Sequence, residues 1–292
     1  MDLRQDEMLA AFDAGVRHVE QGALIGASTS PAEALFATRL VGHEDHLALA
    51  EMPAPAEPGA PGWFLPLVDL VLGRTAMRHT FGNGTCVTVS LSLEFHHPVL
   101  RPGSVVCALG RTVSDEGDTM STTVEVRTET GELVAHGHGR FLMVDGPPPA
   151  PVPDLAGADN SAVLGRLLGI DDMVVTGDGV RHELIPGGDL ANPSGVVHGG
   201  AQGAMLMHAM DLVARHRRPG ADLMSLTIDF RGPVVISDDP MAVQARIVRA
   251  GVHLVTTEAE IVISTGRSAT WARGIHRAGA AGSAPHSERA TT

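Results

Sequence analysis

At 292 residues the chain is about twice the length of an ordinary domain, so it has room for two cores or one large one. A hydrophobic fraction of 43%, a charged fraction of 19% and a mean hydropathy of +0.10 exclude both a disordered chain and a membrane-embedded one. The net charge of −13 excludes nucleic acid and anionic membrane as main partners, because each demands a basic face.

The chain opens on MDLRQDEMLAAF, which is acidic and has no signal-peptide core, so a cytoplasmic protein is expected. The first forty residues read as a helix leading into the first structural unit. From Gly62 to His79 an apolar stretch predicts a buried helix that carries one acid, Asp69. Alternating runs follow at Val87 to Phe95, Val105 to Val113, Met120 to Arg127 and Leu133 to Phe141, with Gly or Asp turns between them; these predict strands. The two cysteines, Cys86 and Cys107, form neither a disulfide framework nor a thiolate metal site, and suit a reducing compartment.

A proline-rich stretch from Gly146 to Pro153 near the midpoint predicts a linker. Residues 1–145 then form one unit, 146–158 the connection, 159–278 a second unit, and 279–292 a hydrophilic tail expected to be disordered. The second unit repeats the first. SLSLEFHHP at Ser90 to Pro98 returns as SLTIDFRGP at Ser225 to Pro233, an offset of 135 residues. The same offset pairs Arg111 with Arg246, Glu125 with Glu260, and Gly139 with Gly274, an ordered series that implies duplicated structure. Val196 to Arg215, filled with Gly, Ala, Met and Leu, predicts the second buried helix. The fold class is thus α+β: two long antiparallel sheets, each around a central apolar helix.

Asn192-Pro193-Ser194-Gly195-Val196-Val197-His198-Gly199-Gly200 resembles the Asn-x-x-Gly-x-x-His-Gly-Gly loop of the PaaI-like acyl-CoA thioesterases, and the strands VTVSLSLEFHHPVLRPG and ETGELVAHGHGRFLMV are also similar to that family. The resemblance covers about Gly62 to Val144 and Gly179 to Arg277. It implies a double hotdog fold, thioester hydrolysis and coenzyme A only as part of the substrate, with no other cofactor. Thioester hydrolysis needs a donor for the developing oxyanion and a carboxylate that activates water or attacks directly. A helix N-terminus supplies unpaired amides, and the Gly199 amide is free of any side chain. The resemblance gives Asn192 and His198 the support of this loop and of the carbonyl.

The family's acid lies nine residues after the His, and here that position is Met207. Asp69 lies 29 residues before Pro98 and fits the family spacing, whereas Asp211 lies only 22 before Pro233. The first half has Ala60-Pro61-Gly62 where His-Gly-Gly would stand. One half has kept the acid, the other the loop. An amide at a helix start and a carboxylate eight residues further along that helix are about 12 Å apart, so a working site must combine both halves. Asp69 with Asn192, His198 and Gly199 would make one complete site, leaving Gly62 and Met207 as an inert mirror. Thr88, ten residues before Pro98, matches a family Ser/Thr that orients water beside the acid; its counterpart before Pro233 is Leu223.

The histidine pairs His43/His46, His96/His97 and His136/His138 give no metal signature: strand neighbours point to opposite faces, and only His136 and His138 share one. There is no Gly-x-Ser-x-Gly elbow and no Walker-type loop. Two other functions fit the architecture: a non-catalytic acyl-CoA-binding or regulatory protein, and a hydratase, whose Asp-x-Asn-Pro-x-His pattern is broken here by Gly195. Arg101, Arg111 and Arg231 are the candidates for the CoA phosphates. A homodimer of the double unit is the expected assembly.

Overall fold

The structure, a computed structural model, describes residues 30–44, 47–54, 62–77, 84–96, 104–145 and 164–278. The linker at 146–158, the tail at 279–292, the leading helix before residue 30, Ala60-Pro61 and Arg101 lie outside the described residues.

The strands are β1 (Arg39–Glu44), β2 (Leu47–Pro53), β3 (Gly84–Phe95), β4 (Val105–Asp115), β5 (Thr119–Thr128) and β6 (Leu133–Asp145), then β7 (Gly179–Leu184), β8 (Asp222–Phe230), β9 (Met241–Ala250), β10 (Leu254–Val262) and β11 (Ser268–Arg277). The helices are α1 (Pro31–Leu35), α2 (Leu65–Met77), α3 (Leu164–Leu167) and α4 (Gly199–Arg217). Alternation decides which face each strand buries. Met120, Thr122, Val124 and Val126 of β5 point to the core, as do Val255, Thr257, Ala259 and Ile261 of β10, while their neighbours face outward.

The expected pair of sheets is corrected to one. The strands join in the order β1-β2-β4-β5-β6-β3-β8-β11-β10-β9-β7. The seam is an antiparallel ladder from Ser90↔Asp229 to Glu94↔Ser225. Joining β3 to β8 satisfies two strand edges that would otherwise stand unpaired.

Both central helices are shorter at the start than their apolar runs. Gly62 to Phe64 form a turn, with the Leu65 amide donating to Gly62 O at 3.1 Å. Val196 and Val197 are taken by the backbone instead: Val196 bridges Val235, and the Val197 amide donates to Val234 O at 2.8 Å. The helix therefore begins at Gly199, with His198 as its N-cap.

The two helices run antiparallel and touch through glycine. A Cβ on Gly200 would lie 2.4 Å from Pro66 Cα and 2.6 Å from Leu65 O, and one on Gly203 3.1 Å from the Leu65 side chain. Only residues without a side chain permit backbones this close. The contact fixes what comes next along each helix: Asp69, one turn beyond Pro66, is carried over the start of α4. A short strap also links the halves. Ser30 and Glu33 form a capping box on α1, the Ala32 amide donates to Ala191 O at 3.2 Å, and Glu33 pairs with Arg74 at 3.6 Å. No helix among the described residues is long and apolar enough to cross a membrane.

Candidate active site

The residues that carry the chemistry meet where α2 crosses the start of α4. Asp69 Oδ2 accepts the Gly200 amide at 2.9 Å, from a residue 131 positions away in the other half. Its other oxygen, Oδ1, accepts the Thr88 hydroxyl at 3.1 Å. The carboxylate side chain is 10% exposed, so these donors replace most of its water. It also lies at the positive end of a 19-residue helix dipole.

His198 Nδ1 lies 3.1 Å from the Gly200 amide and 3.3 Å from Asp69 Oδ2. The amide is thus shared between ring and carboxylate. Two acceptors over one donor repel, so a proton on Nδ1 suits the carboxylate better, and the Gly200 amide then serves Asp69 alone. The His198 amide donates to Leu190 O at 2.8 Å, which anchors the ring's backbone. Gly199 opens the helix, and its amide is one of the unpaired donors of the first turn. A Cβ there would lie 2.8 Å from Asp69 Oδ2, so nothing larger than glycine fits beside the acid.

Asn192 stays out of this cluster. Its Oδ1 accepts the amides of Ser194 (2.9 Å) and Val196 (3.2 Å), and its own amide donates to Val196 O at 2.8 Å. It organises the loop, with Gly195 at φ +74° making the reversal. Thr88 likewise holds the acid itself: its printed partner is the carboxylate. Asp211, one turn beyond Met207, is bound by Arg215 of its own helix at 2.8 Å, and burial pushes its carboxyl up to about 6. Met207 is fully buried beside Gly62, where a Cβ would lie 3.4 Å from the methionine Cβ.

One residue escaped the sequence reading. Gln202, 4% exposed, donates from Nε2 to Val197 O at 2.7 Å and accepts the Thr270 hydroxyl on Oε1. It braces the loop against β11 from inside the helix. Its signal was a buried amide in an otherwise apolar run, one turn after the N-cap. Cys86 is no nucleophile: burial, and then the charge of Asp69, push its thiol up to about 12. His136 meets His96 rather than His138, with Nδ1 2.9 Å from Nε2 and the rings stacked at 5.0 Å; the contact crosses from β6 to the end of β3, which residue spacing along one strand does not reveal. No group of three or more side chains among the described residues could hold a metal. Of the phosphate candidates, Arg111 lies on β4, with β5 and β6 between it and β3. Arg231 follows β8 directly, its guanidinium 5.4 Å from the centre of the Trp271 ring.

A carboxylate from one hotdog set on the helix start of another defines a class, the acyl thioester hydrolases. Sequence comparison agrees: the model of the thioesterase superfamily matches residues 61–135, and that of the acyl-CoA thioesterase N-terminal domain matches residues 189–276, in the second half of this chain. The chain belongs to the thioesterase superfamily, as a tandem hotdog of the acyl-CoA thioesterase type. No curated protein matches it by sequence. Among solved structures it is similar to the tesB protein of Mycobacterium avium subs paratuberculosis (14% identity, TM-score 0.60, 86% of this chain and 100% of that one). It is similar to an acyl-CoA thioesterase II of Mycobacterium marinum (14%, 0.58, 86% and 98%). A 12:0-ACP thioesterase of Umbellularia californica shares the fold as well (12%, 0.54, 80% and 94%).

Proposed function

We propose that this chain hydrolyses acyl-CoA through one composite site, with Asp69 as its acid. The observation that carries the reading is the Asp69–Gly200 hydrogen bond between halves, which sets a carboxylate beside the free amide of Gly199. The Gly199 amide donates to the thioester oxygen and stabilises the charge that develops there. The Thr88 hydroxyl and the Gly200 amide hold one oxygen of Asp69 each, so the acid is aimed without rearrangement. Asp69 takes a proton from a water that attacks the carbonyl carbon. The tetrahedral intermediate then expels the thiolate, which takes that proton to leave as the thiol of CoA, and the acyl group leaves as its carboxylic acid. His198 and Asn192 keep the loop in register. Carboxylate, amide and water suffice for this chemistry, so no cofactor enters it.

The working unit in this reading is the first hotdog (1–145) joined through 146–158 to the second (159–278), and two such double units form a homodimer. The test is steady-state thiol release from short, medium, long and aromatic acyl-CoAs by the wild type and Asp69→Asn. A drop in kcat of at least about a hundredfold supports the reading. Acyl-CoA binding without any wild-type turnover would make the chain a binding protein instead.

A further inference from the structure

The seam between the halves is incomplete on one side of Ser90. β8 pairs with β3 only from Ser90 to Glu94, although β3 begins six residues earlier, at Gly84. β8 ends at Phe230, and Arg231 turns away along β11, its amide donating to Ala269 O at 2.8 Å. The β3 edge from 84 to 89 is therefore left without a β8 partner. Thr88, the residue that holds Asp69, lies in this stretch, between Val87 (45% exposed) and Val89 (40% exposed). The catalytic carboxylate thus communicates with the outer face of the sheet at the point where Arg231 stands.

On that outer face lies an open groove of about 590 Å³ that crosses β11, β10, β9 and β7, lined by Arg231, Trp271, Arg246, Arg181, Gln244 and Glu260. Arg246 and Arg181 are held by neighbours, Glu258 at 2.8 Å and Gln244 at 2.7 Å. Arg231 has no carboxylate within ion-pair distance among the described residues and lies over the Trp271 ring. Arg267 is in the same position: it packs on Gly232, where a Cβ would be 2.7 Å from its Nη1, and it too has no carboxylate partner among the described residues. In a protein of net charge −13, two uncompensated guanidiniums beside an aromatic face form a local anion site. Trp271 is opposite Asp229, and Asp229 opposite Ser90. Two strand spacings of about 4.8 Å and two residues of about 3.3 Å place Trp271 roughly 12 Å from Thr88. An extended phosphopantetheine arm spans that distance.

We propose that this groove holds the adenine nucleotide of the substrate, with Arg231 and Arg267 on the phosphates and Trp271 as the stacking platform for the base. The proposal rests on the acyl-CoA hydrolase reading and deepens it: the groove makes the enzyme select thioesters of CoA over those without a nucleotide.

The experiment compares acyl-CoA with the same acyl group on N-acetylcysteamine, which ends before the phosphates, for the wild type, Arg231→Ala and Trp271→Ala. The ratio of kcat/KM for the CoA ester to that for the truncated ester should fall at least tenfold in each variant, through KM. An unchanged ratio, or equal weakening of both substrates, overturns the proposal, as does a wild type that prefers an acyl carrier protein to CoA. Calorimetric titration with adenosine 3′,5′-bisphosphate reads the groove without turnover. Wild-type binding that weakens at least tenfold in Arg231→Ala supports it even if no thioester is hydrolysed, and absence of wild-type binding overturns it.

Discussion

The hydroxyls of Ser92 and Thr227 lie 3.5 Å apart across the seam, and each is the other's counterpart in the repeat, 135 residues away. An approximate twofold axis therefore passes between them and exchanges the two crossing points of the helices. Asp69 on Gly200 is exchanged with Met207 on Gly62, a shift of 138 residues for both (207 − 69 and 200 − 62). At the second point, however, a fully buried methionine fills the place of the carboxylate. Met207→Asp should not create a second site. It should bury a charge with no partner, at a cost on the order of 3 kcal/mol, read as a lower midpoint in urea. The double variant Asp69→Asn/Met207→Asp should be as inactive as Asp69→Asn, and recovered turnover would show that the mirror point is a dormant site.

The two glycines at the start of α4 should respond differently to alanine. At Gly199 the added methyl meets only the Asp69 carboxylate, 2.8 Å away, so the fold should survive with the acid displaced. We expect kcat for Gly199→Ala to fall about a hundredfold or more with a melting temperature near that of the wild type. At Gly200 the methyl meets the Pro66 backbone at 2.4 Å, which cannot rotate away. Gly200→Ala should force the helices apart and lower the melting temperature sharply. Equal melting temperatures for the two variants would contradict the close crossing.

These positions also show how far the sequence could be read. Asp69 and Gly199 were legible because neither half holds a complete set, and helix length forbids a site on one helix. The 135-residue offset was legible because β3 and β8 keep the same apolar alternation. Their pairing was not, since alternation fixes which face a strand buries but not which edge it joins. Thr88 was legible by spacing, yet its partner follows from the depth at which β3 runs beneath α2. Gln202 and the His96–His136 pair depend on contacts between elements, which leave no periodic trace in either partner.

Gln202 gives a test of whether the loop must be braced for catalysis. Replacing it with leucine leaves Val197 O and the Thr270 hydroxyl without their partner inside the core. A cost of about 1–3 kcal/mol in stability is expected. Since Val197 immediately precedes His198, the Gly199 amide should lose its aim, and kcat should fall more than KM rises. A stability loss of that size with kcat unchanged would reduce Gln202 to a packing residue.

The second half carries its own buried polar group in a different place. Thr88 pairs with Phe141 in the first half, and their counterparts Leu223 and His276 pair in the second, so the polar side chain has changed strands. His276 is fully buried, with Nε2 3.0 Å from the Thr257 hydroxyl and Nδ1 without a partner. Burial, and then the charge of Arg215, lower it from 6.5 to about 4, with Asp222 opposing. A group whose pKa is depressed by folding stabilises the native state above its unfolded pKa, so this contribution is lost as pH falls from about 6.5 to about 4. The full effect is about 3 kcal/mol. Asp211, pushed up to about 6 by burial, acts in the opposite sense: it favours the native state at low pH and loses that contribution as pH rises through about 6. The wild type should therefore be nearly flat in acid, where the two contributions offset. His276→Phe, which installs the residue its counterpart position already holds, removes one of them. Its stability relative to wild type, from urea unfolding, should rise by about 3 kcal/mol between pH 7 and pH 4. A difference that stays constant over that range would mean that His276 is protonated as easily inside the fold as outside it.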